Sequence, residues 1–257
     1  MICSGNTDIG MKRDSNQDTF ILKTYSEKTC LCVVCDGMGG AKGGKEASKI
    51  AAEKFVSVMD DFISPYIGRK DRNLHSNDIK EALLDAVDQA NNAVYQYAQD
   101  HSSMKGMGTT LVAALIINRT VFSVNVGDSR MYFMKGSKIK QITKDHSYLQ
   151  YLLDMGQISE KDALNFPNKN VITRAVGTEI SVRADFIKES VSDGAYIMLC
   201  TDGLTNFVDN ELIRSIVVDE TSKGLDQIKL SLVVRRLIDT ANKNGGADNI
   251  TAAIIKL

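Results

Sequence analysis

Apolar positions fall into short runs separated by glycine, asparagine and charged residues, and the period of the runs changes along the chain. Residues 19–22 (TFIL) and 29–35 (TCLCVVC) are dense in β-branched and apolar side chains and predict two strands. Past a glycine-rich loop, residues 45–63 place Ala47, Ile50, Ala51, Phe55, Val58, Met59 and Phe62 at helical spacing. Residues 64–77, with Pro65, Gly68 and several charges, read as a surface connection. A second helix carries Ile79, Leu83, Val87, Ala90, Val94 and Tyr97 in one stripe, with Ser76, Asn77 or Asp78 available to cap its start. Residues 109–126 predict two strands about a turn near Asn118–Arg119, and residues 130–143 a hairpin with Gly136–Ser137 at its tip. Residues 144–170 are polar and mixed, with short helical pieces. Strand patterns return at 181–189 and 195–203, helical ones near 209–217 and 226–242, and the chain closes on an apolar strand at 249–257.

Helices and strands come in blocks rather than in strict alternation, which gives an α+β class with antiparallel sheets. With no repeat, low-complexity tract or linker to divide them, the 257 residues are expected to form a single domain, 1–257. A net charge of −1 argues against a nucleic-acid binder, which carries a basic face. No apolar run reaches the length of a membrane span, and residues 1–18 lack the apolar segment of a secretory signal. The five cysteines, an odd number in a chain this large, suit a reducing cytoplasm. Cys30, Cys32 and Cys35 lie in a β-type run, where packing accounts for them better than zinc does.

The chemistry is concentrated in aspartates that bound apolar runs. Asp36 ends the run 29–35, Asp128 ends "FSVNVGDS", Asp202 ends "AYIMLCTDG", Asp248 precedes the last strand, and Asp18 precedes the first. One aspartate beside a glycine is an ordinary turn residue. Strand ends gathered by one sheet would instead hold these carboxylates against one another, a repulsion that cations relieve. Mg²⁺ and Mn²⁺ prefer such oxygen ligands, and Gly37 offers a backbone carbonyl unobstructed by a side chain. Two such ions can activate a bridging water for in-line attack on phosphorus, and Arg13, close in sequence to Asp18, supplies a guanidinium suited to phosphate oxygens. A rival lies in the same loop: residues 39–45 (GGAKGGK) meet the G-x-x-x-x-G-K spacing of a nucleotide phosphate loop. Glu46 stands where that motif needs Ser or Thr, and the rival leaves the other aspartates unexplained.

The stretches "TDIGMKRDSNQD" (7–18), "VCDGMGG" (34–40), "GMGTT" (106–110), "VGDSR" (126–130), "VITRAVG" (171–177), "CTDGL" (200–204) and "GADNIT" (246–251) together resemble the metal-dependent PP2C (PPM) protein serine/threonine phosphatases, particularly the compact bacterial type. They stand in the family's order and span nearly the whole chain. The resemblance implies a four-layer αββα sandwich, two antiparallel β-sheets flanked by helices, with a binuclear Mn²⁺ or Mg²⁺ centre at one end. It implies that Asp36 bridges two ions, that Gly37 contributes its carbonyl, and that Asp202 and Asp248 ligate one of them. Asp128, with Asp202, would hold a weaker third ion. Asp18, beside Gln17, would orient metal-bound waters, Arg13 would bind phosphate, and residues 144–170 would form a mobile flap.

The implied activity is hydrolysis of phosphoserine and phosphothreonine on proteins by a metal-bound hydroxide, without a phosphoenzyme. The implied partners are phosphorylated proteins, among them a cognate bacterial Ser/Thr kinase, and the chain would act as a cytoplasmic monomer. Relatives often carry a histidine in or after the DG loop, where this chain has Met38 and Ala41, which leaves the source of the leaving-group proton open, with metal-bound water one candidate. His146 is expected to be structural, and His75 and His101 to lie on the surface. Asn206 replaces an aspartate common in eukaryotic relatives. A function of another class, a catalytically inactive phosphoprotein-binding module of the same fold, would typically have lost metal aspartates, whereas Asp36, Asp128, Asp202 and Asp248 are all present.

Overall fold

The computed structural model describes residues 1–67, 74–163, 166, 170–221 and 224–257; part of the 64–77 connection and part of the 144–170 flap lie outside them. Its strands are β1 (Ile2–Asp8), β2 (Asp18–Ser26), β3 (Thr29–Met38), β4 (Gly108–Thr109), β5 (Leu111–Ile117), β6 (Thr120–Val126), β7 (Arg130–Lys135), β8 (Lys138–Gln141), β9 (Asp185–Ser190), β10 (Tyr196–Cys200) and β11 (Ile250–Lys256). One sheet runs β1-β11-β10-β7-β8 and the other β2-β3-β5-β6-β9, with β4 on the end of β3. Every pairing is antiparallel.

The layers follow from strands buried on both faces, which is why their sequences read as continuous apolar runs. From β3, Leu31, Val33 and Cys35 join a core with the helices α1 (Gly40–Ile63) and α2 (Ser76–Asp100). Its alternate residues Cys30, Cys32 and Val34 pack between the sheets, against Ala253 and Ile255 of β11. The other face of β11, with Ile250, Ala252 and Ile254, packs against the C-terminal helix at Gln227–Lys243. The result is helix, sheet, sheet, helix. The alternation also sends Cys35 to the opposite face from Cys30 and Cys32, so the three thiols share no site.

Four expectations are corrected. The first strand is β1, which pairs along its full length with β11 although its composition is mostly small and polar. The glycine loop is largely helix, since α1 begins at Gly40 behind a left-handed Gly39. α2 has His75 at its N-cap without a side-chain hydrogen bond, so none of Ser76, Asn77 and Asp78 caps it. The helix expected at 209–217 is α for Asn210–Arg214 and widens to a π-helical turn at Ser215–Asp219.

Two short helices, Tyr148–Asp154 and Glu160–Ala163, supply the helical pieces of 144–170. Among the described residues no helix is long and apolar enough to cross a membrane.

Candidate metal centre

Register makes the site. β2 and β3 pair so that Asp18 lies directly opposite Asp36, and like charges directly opposed across a ladder are destabilising. The far sheet delivers Asp202 from the end of β10, at the start of the short helix Asp202–Thr205, and Asp248 from the corner that leads into β11. Asp128 arrives on the turn after β6. Asp36, Gly37, Asp128, Asp202, Asp248 and Arg13 all line one cavity of about 530 Å³, with Lys12, Met38 and Asn249 among its other walls. Asp18 does not line it and stands behind Asp36.

Hydrogen bonds fix this arrangement across both sheets. The hydroxyls of Thr201 and Thr251 donate to Asp18 Oδ2 at 2.9 and 2.7 Å. Thr251 has then spent its proton, so the Thr7 hydroxyl, 2.7 Å away, donates to it, and Asn16 Nδ2 donates to Thr7. Thr110 grips Asp36 by the backbone, its Oγ1 accepting from the Asp36 N–H at 2.9 Å and its own N–H donating to the Asp36 carbonyl at 2.8 Å. Asn249, buried, donates to the carbonyls of Ile9 and Ser15 and accepts from the Gln17 N–H, which fastens the N-terminal loop to the Asp248 corner. Thr110, Thr201, Thr251 and Asn249 lie inside motifs the sequence displays, yet their roles depend on contacts between distant segments and carry no local signal.

Gly37 is a close-approach glycine. A Cβ there would collide with the Gly44 carbonyl oxygen, and one on Gly44 would collide with the Gln17 side-chain amide. The two glycines let the first turns of α1 lie against the end of β3, where tertiary packing overrides the low helix propensity of glycine. This placement also removes the phosphate-loop rival, because residues 40–45 are helix backbone and not a loop that wraps an anion.

The carboxylates are under electrostatic pressure. Burial, then the charges of Asp18, Asp202, Asp128 and Asp248, raises the Asp36 pKa well above the ordinary carboxylate range. Burial pushes Asp18 to about 7 against the pull of its two threonine hydroxyls, and burial with Asp202 nearby pushes Asp128 to about 8. Asp202 is raised by burial and by Asp248. Asp36 and Asp202 line the same cavity and press on each other, since the charge of Asp202 helps to raise Asp36, a crowding that a proton or a cation relieves. Arg13 relieves one member, Nη2 donating to Asp248 Oδ2 at 2.8 Å.

Divalent ions fit this donor set. Among the described residues no three acidic, histidine or cysteine side chains already converge as an ion cage. Mg²⁺ asks for less, keeping several waters and taking one or two carboxylates. Asp18 Oδ1 and Asp202 Oδ1 are buried oxygens without hydrogen-bond partners among the described residues, the mark of acceptors held for something other than protein.

His146 is buried away from the cavity, while His75 and His101 are exposed. Asn206 donates to Asp202 Oδ2 at 3.0 Å, so it steadies that carboxylate where an aspartate would repel it.

The family model described as protein phosphatase 2C matches residues 11–239. The chain is 33% identical to the serine/threonine phosphatase stp of Listeria innocua over 250 residues, 97% of this chain and 93% of the relative. Among solved structures, the serine/threonine phosphatase Stp1 from Staphylococcus aureus is 32% identical, with a TM-score of 0.84 over 100% of this chain and 95% of that one. The catalytic domain of the serine threonine protein phosphatase PstP, solved with two manganese ions, is 27% identical, with a TM-score of 0.79 over 98% of this chain and 96% of that one.

Proposed function

Since this chain belongs to the protein phosphatase 2C family, we propose that its cavity is the place where a phosphorylated serine or threonine side chain is hydrolysed over two divalent cations. The chain is a metal-dependent protein serine/threonine phosphatase. The observation that supports placing the chemistry here is the direct opposition of Asp18 and Asp36 across the β2–β3 ladder, at the cavity that Asp36, Asp128, Asp202 and Asp248 line.

Asp36 would bridge two ions, Mn²⁺ or Mg²⁺, with the Gly37 carbonyl, Asp202 and Asp248 completing the protein ligands and Asp128 serving a weaker third. Bound there, the ions supply positive charge that makes water nucleophilic at neutral pH and draws off charge from phosphoryl oxygens.

The chain's own residues do the rest. Arg13 lies at the cavity edge with its guanidinium partly exposed, so it can turn its free N–H groups to a phosphoryl oxygen while touching Asp248. Asp18, locked by Thr201 and Thr251, keeps Oδ1 as an acceptor that orients water behind Asp36. Among the described residues no histidine lines the cavity, and Met38 stands there, so the departing alkoxide takes its proton from water.

The same reading takes residues 1–257 as one domain with a flap at 144–170. It takes the substrates as phosphoproteins, including a cognate Ser/Thr kinase, and the enzyme as a cytoplasmic monomer. The test is phosphate release from a phosphothreonine peptide by purified protein. Release with Mn²⁺ that stops with EDTA supports the proposal; equal release after exhaustive chelation overturns it.

A further inference from the structure

His146 faces away from the cavity, yet it grips the turn that carries Asp128. The Gly127 N–H donates to His146 Nδ1 at 3.1 Å, and the His146 N–H donates back to the Gly127 carbonyl at 2.9 Å. With Nδ1 accepting, the ring proton belongs on Nε2, which lies 3.2 Å from Asp185 Oδ2 and 3.0 Å from Arg174 Nη1. A guanidinium only donates, so the Nε2 proton goes to Asp185, and Arg174 is a close neighbour and not its acceptor. Burial keeps the imidazole below its ordinary pKa, in keeping with a neutral ring. Arg174 holds the other oxygen of Asp185 at 2.9 Å, and the Thr173 N–H donates to the His146 carbonyl at 2.8 Å. The ring is thus braced by β9 and by the segment after the flap.

The neighbouring residues repeat the grip. Asp145, one residue before His146, takes Arg130 in a bidentate ion pair at 2.7–3.1 Å, and the Ser129 and Thr110 hydroxyls meet at 2.7 Å. Gly127 has φ of +105°, and a Cβ on it would meet Thr110 Cγ2 at 2.6 Å, so the turn is held in a conformation that glycine alone adopts easily. Such a turn needs outside bonds to keep one orientation, and Asp128 is the next residue.

We propose that His146 is a positioning residue for metal binding: by holding Gly127 at both its N–H and its carbonyl, it fixes the direction in which Asp128 presents its carboxylate toward Asp202. The inference rests on the reading of Asp128 as a ligand of the weaker ion, and the experiment separates the two.

Manganese binding is measured by titration calorimetry on the wild type and on Asp128→Asn, His146→Leu and His146→Asn. Asparagine places an amide oxygen near the position of Nδ1 and keeps the Gly127 bond; leucine cannot accept it. The expectation is that His146→Leu weakens the weakest Mn²⁺ site by roughly 10- to 100-fold, the usual scale for partners that orient ligands. Tighter sites stay unchanged, which also reports a folded protein, and His146→Asn recovers the weak site. Loss of the weak site in Asp128→Asn but not in His146→Leu overturns the inference and leaves the ligand reading standing. Equal weakening of every site in His146→Leu overturns it as well. Unchanged binding in Asp128→Asn removes the ligand reading and the inference together.

Discussion

The same strands end in two cavities of similar size. At one end lies the cavity of about 530 Å³ among the aspartates; at the other, one of about 490 Å³ is lined by Met1, Glu27, Lys28, Asn118, Arg119, Thr120, Asp193 and Leu257. The far end is chemically quiet. Its turn uses Asn118 at φ 55°, a conformation asparagine tolerates, the N-terminal amine donates to the Glu27 carbonyl, and Arg119 pairs with Asp193 in the open. The near end opposes carboxylate to carboxylate and leaves buried oxygens without hydrogen-bond partners among the described residues. Volume does not distinguish the two; unmatched charge does. Strands supply the frame, and what their ends leave uncompensated marks the site.

Asp36→Asn is the strongest test of that contrast. It removes the proposed bridging ligand, and phosphatase activity should fall by roughly a thousandfold or more, about 4 kcal/mol of barrier. The same change relieves a buried carboxylate crowded by four others. The metal-free variant should therefore melt at a higher temperature than the metal-free wild type. Lost activity with lowered thermal stability would mean that Asp36 is structural.

Thr251→Val probes the support behind the ligands. It deletes the 2.7 Å donor to Asp18 and the acceptor for Thr7 while keeping the shape of the side chain. Activity or Mn²⁺ affinity should drop by roughly 10- to 100-fold. An unchanged variant would show that Asp18 needs no fixing from the opposite sheet.

How much of this was written locally in the chain differs between its parts. β3 was legible because burial on both faces makes its sequence an unbroken apolar run, and Asp36 was legible because it interrupts that run. β1 was not, since its pairing with β11 is made by the backbone and Gly5 is required by the Phe20 ring, 2.5 Å from where a Cβ would lie. The start of α1 was hidden by Gly43 and Gly44, whose missing side chains leave room for Met107 and for the backbone of Gly37. Arg13 lines the cavity, and its pairing with Asp248, which joins residues at opposite ends of the chain, has no local signal. Local pattern reports burial and interruption. It does not report which distant group answers a buried one.

A smaller effect is expected from pH on the metal-free protein. Asp18 rises from an ordinary 3.8 to about 7 on folding, so the folded chain holds a proton that the unfolded chain releases. Its contribution to stability is full below the unfolded value and is lost as pH rises toward 7. Across that window the melting temperature of the wild type should fall relative to Asp18→Asn, which has nothing there to titrate. Parallel curves for the two proteins would show that Asp18 is not under strain.

Arg119→Ala should do least. The side chains of Arg119 and Asp193 are each 68% exposed, so water screens their attraction and the pair contributes within about 0.5 kcal/mol. Nothing in the far cavity leaves a buried carboxylate facing another, and the change sits at the opposite end of β5 and β6 from Asp128. Melting temperature should move by no more than a few degrees, while kcat and KM for a phosphothreonine peptide stay at wild-type values. A substantial fall in kcat would break the contrast between the ends, because it would require the frame to transmit a surface change along the full length of its strands to the aspartates.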